Sequence, residues 1–224
     1  KSRNADRTIG STGRCCCRVA YRRDKLRRNF VERPRITKRV INTMSQLTIY
    51  ADNSPESPLL SSEDIAVITD ELGQIGIQIE RWKAGQALAP DAENESILAA
   101  YKGDIDRLVS ERGYQTWDVV SMNADHPEKD AFRHKFLNEH THAEDEVRFF
   151  VRGQGLFIIH AEKKVYAMLC EKDDLISVPA NTKHWFDMGP NPAFTAIRLF
   201  NDPAGWVANF TGDEIAADFP MLEN

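Results

Sequence analysis

Three histidines and one glutamate in the second half of the chain have the types and spacing needed to hold one divalent metal ion. His140 and His142 lie two residues apart, so on a strand both side chains point to the same side. Glu146 follows four residues later and opens an alternating segment in which Arg148 shares its face. His184 lies on or beside a later predicted strand and could close the site from across a barrel. We therefore predict one metal site in the interior.

The ligand types narrow the chemistry of this site. Neutral imidazoles and a carboxylate are borderline ligands that suit Fe, Ni, Mn, Co or Zn. With four positions filled, an octahedral ion would keep two adjacent positions open, which is what a bidentate substrate needs. A structural zinc site would instead have its four positions closed. The pattern therefore indicates a catalytic ion and leaves the identity of the metal open.

The remaining histidines and the cysteines show no comparable pattern. His126 and His134 lie in a charged stretch that we expect to be solvated, and His160 ends a predicted strand, so we expect no site role for them. The cysteines at 15–17 are consecutive and lack the two-residue spacers of a zinc knuckle. Cys170 is predicted to be a buried small apolar residue. Because no disulfide framework is predicted, we expect a reducing compartment, the cytoplasm.

Short strands are the elements that would position the ligands. From residue 117 onwards, segments rich in Val, Ile and aromatic residues alternate with Gly, Asp, Asn and Pro. Such a run predicts a barrel or a sandwich. The predicted strands are Trp117–Met122, Val147–Val151, Leu156–His160, Lys164–Leu169, Leu175–Val178 and Ala193–Phe200.

Helices precede this β-rich part. A first helix is expected to begin at an N-cap formed by Ser61 or Ser62 and to end at Gly73. The segment Ile75–Trp82 alternates and predicts a half-buried strand. Apolar residues at three- and four-residue spacing then predict one long helix over 93–112.

Charge divides the 224 residues into a basic segment and an acidic body. Residues 1–43 contain fourteen Lys and Arg against three Asp and Glu, although the whole chain has a net charge of −5. An acidic body does not suggest a nucleic-acid partner, because phosphate binding needs clustered Lys and Arg. No stretch approaches 18 consecutive apolar residues, so we expect no membrane span. We expect one soluble domain over residues 44–224, acting as a monomer.

Residues 1–43 are predicted to be disordered, because they contain few periodic apolar residues. Met44 opens a segment with the composition of an ordinary domain. We interpret Met44 as the natural start and residues 1–43 as upstream or non-native sequence. Two alternatives stay open for this segment, a basic transit peptide and an arm that binds nucleic acid.

The ligand spacing also matches a known sequence pattern. The segment His140–Gly153 resembles the first cupin motif, and Pro179–His184 resembles the second with Asn181 in place of the usual Gly. His134 and Asp173 stand where the two motifs usually open with Gly. This resemblance implies a mainly β, cupin-type double-stranded β-helix, or jelly-roll barrel, with a few flanking α-helices.

Longer stretches are similar to the acireductone dioxygenases of the methionine salvage pathway. They include residues that are not ligands, and the similarity covers nearly all of residues 44–224 but none of residues 1–43. The stretches are Phe136–His142, Glu144–Phe150, Val178–Phe186 and Ile197–Phe200.

This resemblance implies an enzyme that cleaves 1,2-dihydroxy-5-(methylthio)pent-1-en-3-one with O2 and uses one Fe(II) or Ni(II) ion per chain. With Fe(II) such enzymes yield 4-methylthio-2-oxobutanoate and formate. With Ni(II) they yield 3-methylthiopropanoate, formate and carbon monoxide. The expected partners are therefore a small acireductone and O2.

The resemblance, together with the chemistry of an enediol, suggests roles for further residues. Arg148 would stabilise the substrate dianion through charge-assisted hydrogen bonds; its alternative is a surface ion pair with Glu144 or Asp145. Glu139 would assist metal loading and Asp145 would transmit local changes, although each could equally be a solvated acid. Arg198 would add a second positive group. Four aromatic residues would contact the methylthio tail, unless they are core residues: Phe136, Phe150, Phe186 and Trp206.

Two other functions stay open at this point. The chain could be a non-enzymatic cupin that binds a small metabolite and uses the metal as a structural clamp, or it could be a cupin isomerase. Oxygen uptake in the presence of substrate separates the dioxygenase from both alternatives, because neither of them consumes O2.

Overall fold

Strands make up most of the secondary structure. The computed structural model describes residues 35–37, 44–202 and 207–223. The strands in these ranges are β1 Arg35–Thr37, β2 Gln46–Ala51, β3 Ser54–Ser62, β4 Gln78–Arg81, β5 Thr116–Met122, β6 His140–Thr141, β7 Glu146–Arg152, β8 Gly155–Ala161, β9 Lys164–Cys170, β10 Asp174–Val178, β11 Lys183–Asp187, β12 Phe194–Phe200, β13 Asn209–Phe210 and β14 Met221–Glu223. The helices are α1 Ile65–Gly73, α2 Asn94–Ala100, α3 Lys102–Arg112 and α4 Lys129–Phe136, with one 3-10 turn at Ile215–Ala217.

Two antiparallel sheets form the frame of the fold. One has the strand order β4-β10-β7-β12-β5, and the other has the order β13-β6-β11-β8-β9-β2-β3. Side chains from both sheets pack in one buried cluster, which includes Ile49, Phe150, Phe157 and Ile176. The sheets therefore face each other across a shared interior. The predicted mainly β cupin fold with flanking helices is confirmed.

Helices α2 and α3 cover the outer face of the five-stranded sheet. Ile105 and Leu108 of α3 belong to the same buried cluster as Phe149 of β7, and the Trp82 ring stacks on Phe149 with 4.7 Å between centroids. Because β7 is covered on both faces, every residue in Glu146–Val151 is buried. The first residues of β7 can therefore carry the metal site on one face and core packing on the other.

Three turns between the strands have left-handed backbone conformations. Gly153, between β7 and β8, has φ +71°, and a Cβ at this position would lie 1.9 Å from the carbonyl oxygen of Ala193. Asp173 and Asn181, which stand where the cupin motif usually has Gly, have φ +76° and +62°. Asp and Asn tolerate this region better than most residues with a Cβ. The chain thus keeps the turn conformations without those two glycines.

Some local predictions were wrong in detail. The predicted helix over 93–112 is two helices, because the backbone at Tyr101 leaves the helical conformation with φ −110° and ψ 12°. The ring of Tyr101 is buried, so the residue at the break still contributes to the core. Helix α1 is capped by Asp64, whose side chain accepts a hydrogen bond of 2.9 Å from a backbone N–H of the first turn, and not by Ser61 or Ser62.

Several elements were not predicted, among them β2, β3 and α4. Strand β3 contains Pro55 and Pro58 and lies at the edge of the seven-stranded sheet, where a strand tolerates proline. Helix α4 consists largely of charged residues, and it is fixed to the sheet by the ion pair of Arg133 Nε with Asp187 Oδ1 at 2.7 Å. Neither β3 nor α4 has a regular apolar pattern that would reveal it.

Within residues 1–43, the described ranges include only β1, which pairs in parallel with β14. The predicted disorder and origin of the other residues in this segment lie outside the described residues and stay predictions. In the described part of the chain, no helix has the length and apolar character that a membrane crossing requires.

Candidate metal centre

The four predicted ligands meet in the interior between the two sheets. His140 on β6 pairs directly with His184 on β11, His142 follows β6, and Glu146 begins β7 in the opposite sheet. All four residues are buried, and one ligand atom from each lies within 4.8 Å of the others. An ion bound at this point would join the two sheets.

Each of the three imidazole rings is oriented by a backbone carbonyl group. A carbonyl oxygen can only accept a hydrogen bond, so Nδ1 must carry the proton and Nε2 must present its lone pair to the centre. The acceptors are Asn138 for His140 at 2.7 Å, Val207 for His142 at 3.0 Å and Thr182 for His184 at 2.8 Å.

The carboxylate of Glu146 completes the donor set. Its Oε2 lies 3.1 Å from Nε2 of His142 and 3.1 Å from Nε2 of His184. Three imidazole nitrogens and one carboxylate oxygen that converge in this way fit a divalent transition-metal ion. The chain therefore has a single metal-binding site in its described residues, for one ion.

Electrostatics keeps two of these ligands in the form that binds metal. Burial, with the neighbouring His184, lowers the pKa of His140 to about 4. Burial would raise the pKa of Glu146, but Arg148 and the neighbouring His142 and His184 hold it well below its ordinary value. His140 is therefore neutral and Glu146 ionised at neutral pH, as metal binding requires.

Arg148 lies beside the ligands, as strand alternation predicted. Its Nη2 donates a hydrogen bond of 2.8 Å to Oε1 of Glu146. Its guanidinium lies 5.3 Å from the ring centroid of Phe157 and 4.6 Å from that of Phe186. The residue is buried and faces the same cavity as the ligands. This position agrees with the predicted inward orientation.

A cavity of about 460 Å³ opens onto the ligands. Phe136, Phe186 and Arg198, which the sequence suggested as substrate contacts, line it. Phe150 is fully buried and is not among the described residues that line the cavity, because its ring belongs to the core cluster. Trp206 lies outside the described residues.

Asp118 was not recognised in the sequence, although it also lines the cavity. Arg198 lies directly opposite Asp118 on β5 and directly opposite Arg148 on β7. The Asp118 carboxylate accepts hydrogen bonds from Arg198 Nε at 2.8 Å and Nη2 at 2.5 Å. It therefore compensates one of two arginines whose side chains share a face.

Glu139 lies next to the centre but faces away from it. Its carboxylate accepts hydrogen bonds from Nδ1 of His160 and from Oγ1 of Thr211, each at 2.6 Å. The side chain is fully buried, so the alternative of a solvated acid is wrong. His160, which was expected to have no role, is the partner of this carboxylate.

Asp145 connects the two segments that carry the ligands. Its Oδ1 accepts a hydrogen bond of 3.0 Å from the backbone N–H of Ala180, in the turn before His184. Next to it, Asn181 donates its N–H to the carbonyl of His142 at 2.7 Å. A conformational change in the β6–β7 loop would thus be transmitted directly to the segment that carries His184.

Comparison with known proteins agrees with this arrangement. The model of the ARD/ARD' family matches residues 46–208. A protein of Cronobacter sakazakii named acireductone dioxygenase is 59% identical over 179 residues, which cover 80% of this chain and 99% of the relative. One of Pseudomonas aeruginosa with the same name is 56% identical over 181 residues, which cover 81% of this chain and 100% of the relative.

A solved structure is similar as well. It is described as acireductone dioxygenase from Bacillus anthracis with a cadmium ion in the active center, and it superimposes with a TM-score of 0.66 at 30% identity. The match covers 76% of this chain and 100% of that chain. The family model, the relatives and the shared fold lead to one conclusion: the chain belongs to the ARD/ARD' family of acireductone dioxygenases.

Proposed function

We propose that this protein is an acireductone dioxygenase that cleaves 1,2-dihydroxy-5-(methylthio)pent-1-en-3-one with O2. The observation that carries the proposal is the buried group His140, His142, Glu146 and His184 beside Arg148 at the base of the cavity, in a chain that is 59% identical to a relative of that name. The ligands would hold one Fe(II) or Ni(II) ion, which when bound would supply Lewis acidity toward the enediol oxygens and reactivity toward O2.

The charges that line the cavity suit a dianionic substrate. Lys135, Arg148 and Arg198 are positive, and Asp118 and Glu146 are negative. Together with a divalent ion, these groups leave the site positive overall. A substrate that has lost both enediol protons would thus be bound in its reactive form.

Arg148 is the group best placed to act on that dianion. Its planar guanidinium is fixed by Glu146, and aromatic rings pack against it. Because buried surroundings strengthen charge-assisted hydrogen bonds, Arg148 would stabilise negative charge on the substrate oxygens. Phe136 and Phe186 would contact the methylthio tail and exclude water from the reacting end.

The metal ion decides the products in this proposal. The same ligands accept both Fe(II) and Ni(II). The Fe(II) form would yield 4-methylthio-2-oxobutanoate and formate, and the Ni(II) form would yield 3-methylthiopropanoate, formate and carbon monoxide. Elemental analysis of protein from its own cell, together with a carbon monoxide assay, would identify the form used there.

We also propose that the protein acts as a monomer in the cytoplasm. The one cysteine in the described residues, Cys170, is buried and free, which fits a reducing compartment. Residues 1–43 would be dispensable for the activity. Light scattering on residues 44–224 and on the full chain would check the oligomeric state of both.

The decisive experiment is O2 uptake by metal-loaded protein mixed with the acireductone. We expect His140→Ala to lose both the bound ion and turnover, whereas His126→Ala, outside the cavity, keeps both. Full turnover by His140→Ala would contradict the proposal. Substrate binding without O2 uptake would favour the metabolite-binding cupin, and product formed without O2 uptake would favour the isomerase.

A further inference from the structure

A polar cluster around one buried carboxylate lies on the outer face of the seven-stranded sheet, directly behind the metal centre. Glu139 and Lys183 each precede a ligand, so strand alternation turns their side chains to the face opposite His140 and His184. His160 projects from the same face of β8, since its pairing partner on β11 is Lys183. The cluster therefore crosses β11, the strand that carries His184.

The carboxylate of Glu139 is the centre of this cluster. Oε1 accepts from Nδ1 of His160 at 2.6 Å, and Oε2 accepts from Oγ1 of Thr211 at 2.6 Å. Nζ of Lys183 lies 3.8 Å from Oε2. The Glu139 side chain has no exposed surface, and an ionised carboxylate out of contact with water must be compensated by such partners.

The cluster holds the three segments that orient the imidazole rings. Asn138, whose carbonyl accepts from His140, precedes Glu139. Thr182, whose carbonyl accepts from His184, precedes Lys183. The third segment is fixed by Thr211, whose N–H donates to the carbonyl of Glu139 at 3.1 Å.

Thr211 connects the cluster to the segment that orients the third histidine, His142. It directly follows β13, whose Phe210 pairs with His140, and the same segment supplies Val207, the acceptor for Nδ1 of His142. The three carbonyl groups that orient the imidazole rings therefore all lie within a few residues of the Glu139 carboxylate or of its hydrogen-bond partners. His160 brings to that carboxylate a contact from β8, a strand that carries no ligand.

We propose that His160 is a positioning residue of the metal centre. By holding Glu139 across β11, it fixes the spacing of β6 and β11 and slows dissociation of the ion. The proposal rests on the metal site of the proposed function but not on the reaction. It also differs from a role of Glu139 in metal loading, which would change how fast the ion enters and not how tightly it is held.

The test is the equilibrium affinity and the dissociation rate of Co(II) and Ni(II), measured by competition with a chromophoric chelator. We expect His160→Leu to bind both ions about tenfold more weakly, through faster dissociation. His160→Asn should restore most of the affinity, because its amide nitrogen can donate from the position of Nδ1. Glu139→Gln combined with His160→Leu should recover part of it, because no buried charge is then left unpaired.

Asp174→Asn provides a matched control. Asp174 is another fully buried carboxylate, bound by Arg81 Nε at 3.0 Å, and it lies at the opposite end of β10 from Val178, the partner of Glu146. We expect this variant to unfold at a lower temperature with unchanged metal affinity. If His160→Leu does the same, the positioning role is overturned.

Two further outcomes are decisive. A change in association rate alone would overturn the proposal in favour of metal loading. If His160→Leu does not fold, Thr211→Val is the second variant, because it removes one donor to Glu139. We expect it to bind the ions more weakly through faster dissociation, and unchanged affinity would overturn the proposal. Because these measurements need no substrate, their failure is distinct from a failure of O2 uptake by the parent protein.

Discussion

Arg148 is a buried cation whose carboxylate partner, Glu146, belongs to the metal centre. A buried arginine is costly to the fold unless a charged partner compensates it. When a divalent ion draws on the charge of Glu146, less of that charge remains for the guanidinium. Arg148 is then suited to bind an anion in the cavity. An arginine with a purely structural role would not need such an anion.

Substitution of Arg148 should separate turnover from metal binding. We expect Arg148→Met to lower kcat/KM for the acireductone by roughly 10²- to 10³-fold, while the four ligands keep one ion per chain. Arg148→Lys should recover part of the rate, because the charge remains but the planar pair of donors is lost. Oxygen-uptake kinetics and elemental analysis of the same samples would check both points. Unimpaired turnover by Arg148→Met would contradict the assigned role.

Residues on one strand were predictable, whereas partners between strands were not. Alternation alone places Arg148 on the face of Glu146, because both lie on β7. The pair of His160 and Glu139 is separated by 21 residues along the chain and crosses an intervening strand. Such contacts depend on the order of strands in the sheet, which no local pattern specifies.

The turn between β7 and β8 has little room for a side chain at Gly153. Gly153→Ala would place a Cβ 1.9 Å from the carbonyl oxygen of Ala193 at φ +71°, so the turn must shift. We expect it to lower the free energy of unfolding by roughly 3 kcal/mol or more. Chemical denaturation would measure this loss.

Gly103 in α3 offers a matched control for that substitution. A Cβ there has no atom within 4 Å and the residue is exposed. Gly103→Ala should therefore raise the free energy of unfolding by up to about 1 kcal/mol. Equal and small effects of the two alanines would show that the β7–β8 turn is not restricted.

Helix α4 is tied to the sheet by a buried carboxylate at the end of β11. Asp187 has no exposed surface and accepts two hydrogen bonds from Arg133, at 2.7 and 3.0 Å, and one from the N–H of Leu222 at 2.8 Å. It therefore ties α4 and β14 to the sheet that carries His184.

Asp187→Asn removes the charge but keeps the shape of that side chain. We expect a loss of roughly 3 kcal/mol in the free energy of unfolding, because the Arg133 guanidinium is left without its buried partner. Metal content should stay at one ion per chain, since no ligand changes. Thermal denaturation with elemental analysis would test this, and an unchanged melting temperature would contradict it.

Most elements with regular apolar spacing were predicted, whereas α4 was not. Strands β5, β7, β8, β9, β10 and β12 have clear runs of apolar β-branched and aromatic residues. Helix α4 has a charged composition and is held by Arg133, and the break at Tyr101 follows from where its ring packs. Both are consequences of tertiary contacts that override local preference.

At the scale of the whole molecule, the metal centre joins the two sheets. His140 and His184 belong to the seven-stranded sheet, and Glu146 belongs to the five-stranded sheet. The large shared core, which includes Phe150 and Phe157, does not include the ligands. The fold should therefore persist without metal, but with less resistance to unfolding.

Removal of the metal should thus lower stability without changing secondary structure. An ion present at a hundredfold excess over its Kd stabilises the native state by about 2.7 kcal/mol, which corresponds to a rise in Tm of roughly 5–10 °C for a chain of this length. We expect a chelator to lower the Tm of the loaded protein by that amount and to leave the far-ultraviolet circular dichroism unchanged. His140→Ala, which loses an essential ligand, should show no response to the chelator. Any ligand that binds only the folded chain must stabilise it. An identical Tm before and after proven metal removal would therefore mean that the ion does not bind preferentially to the folded chain and does not couple the sheets.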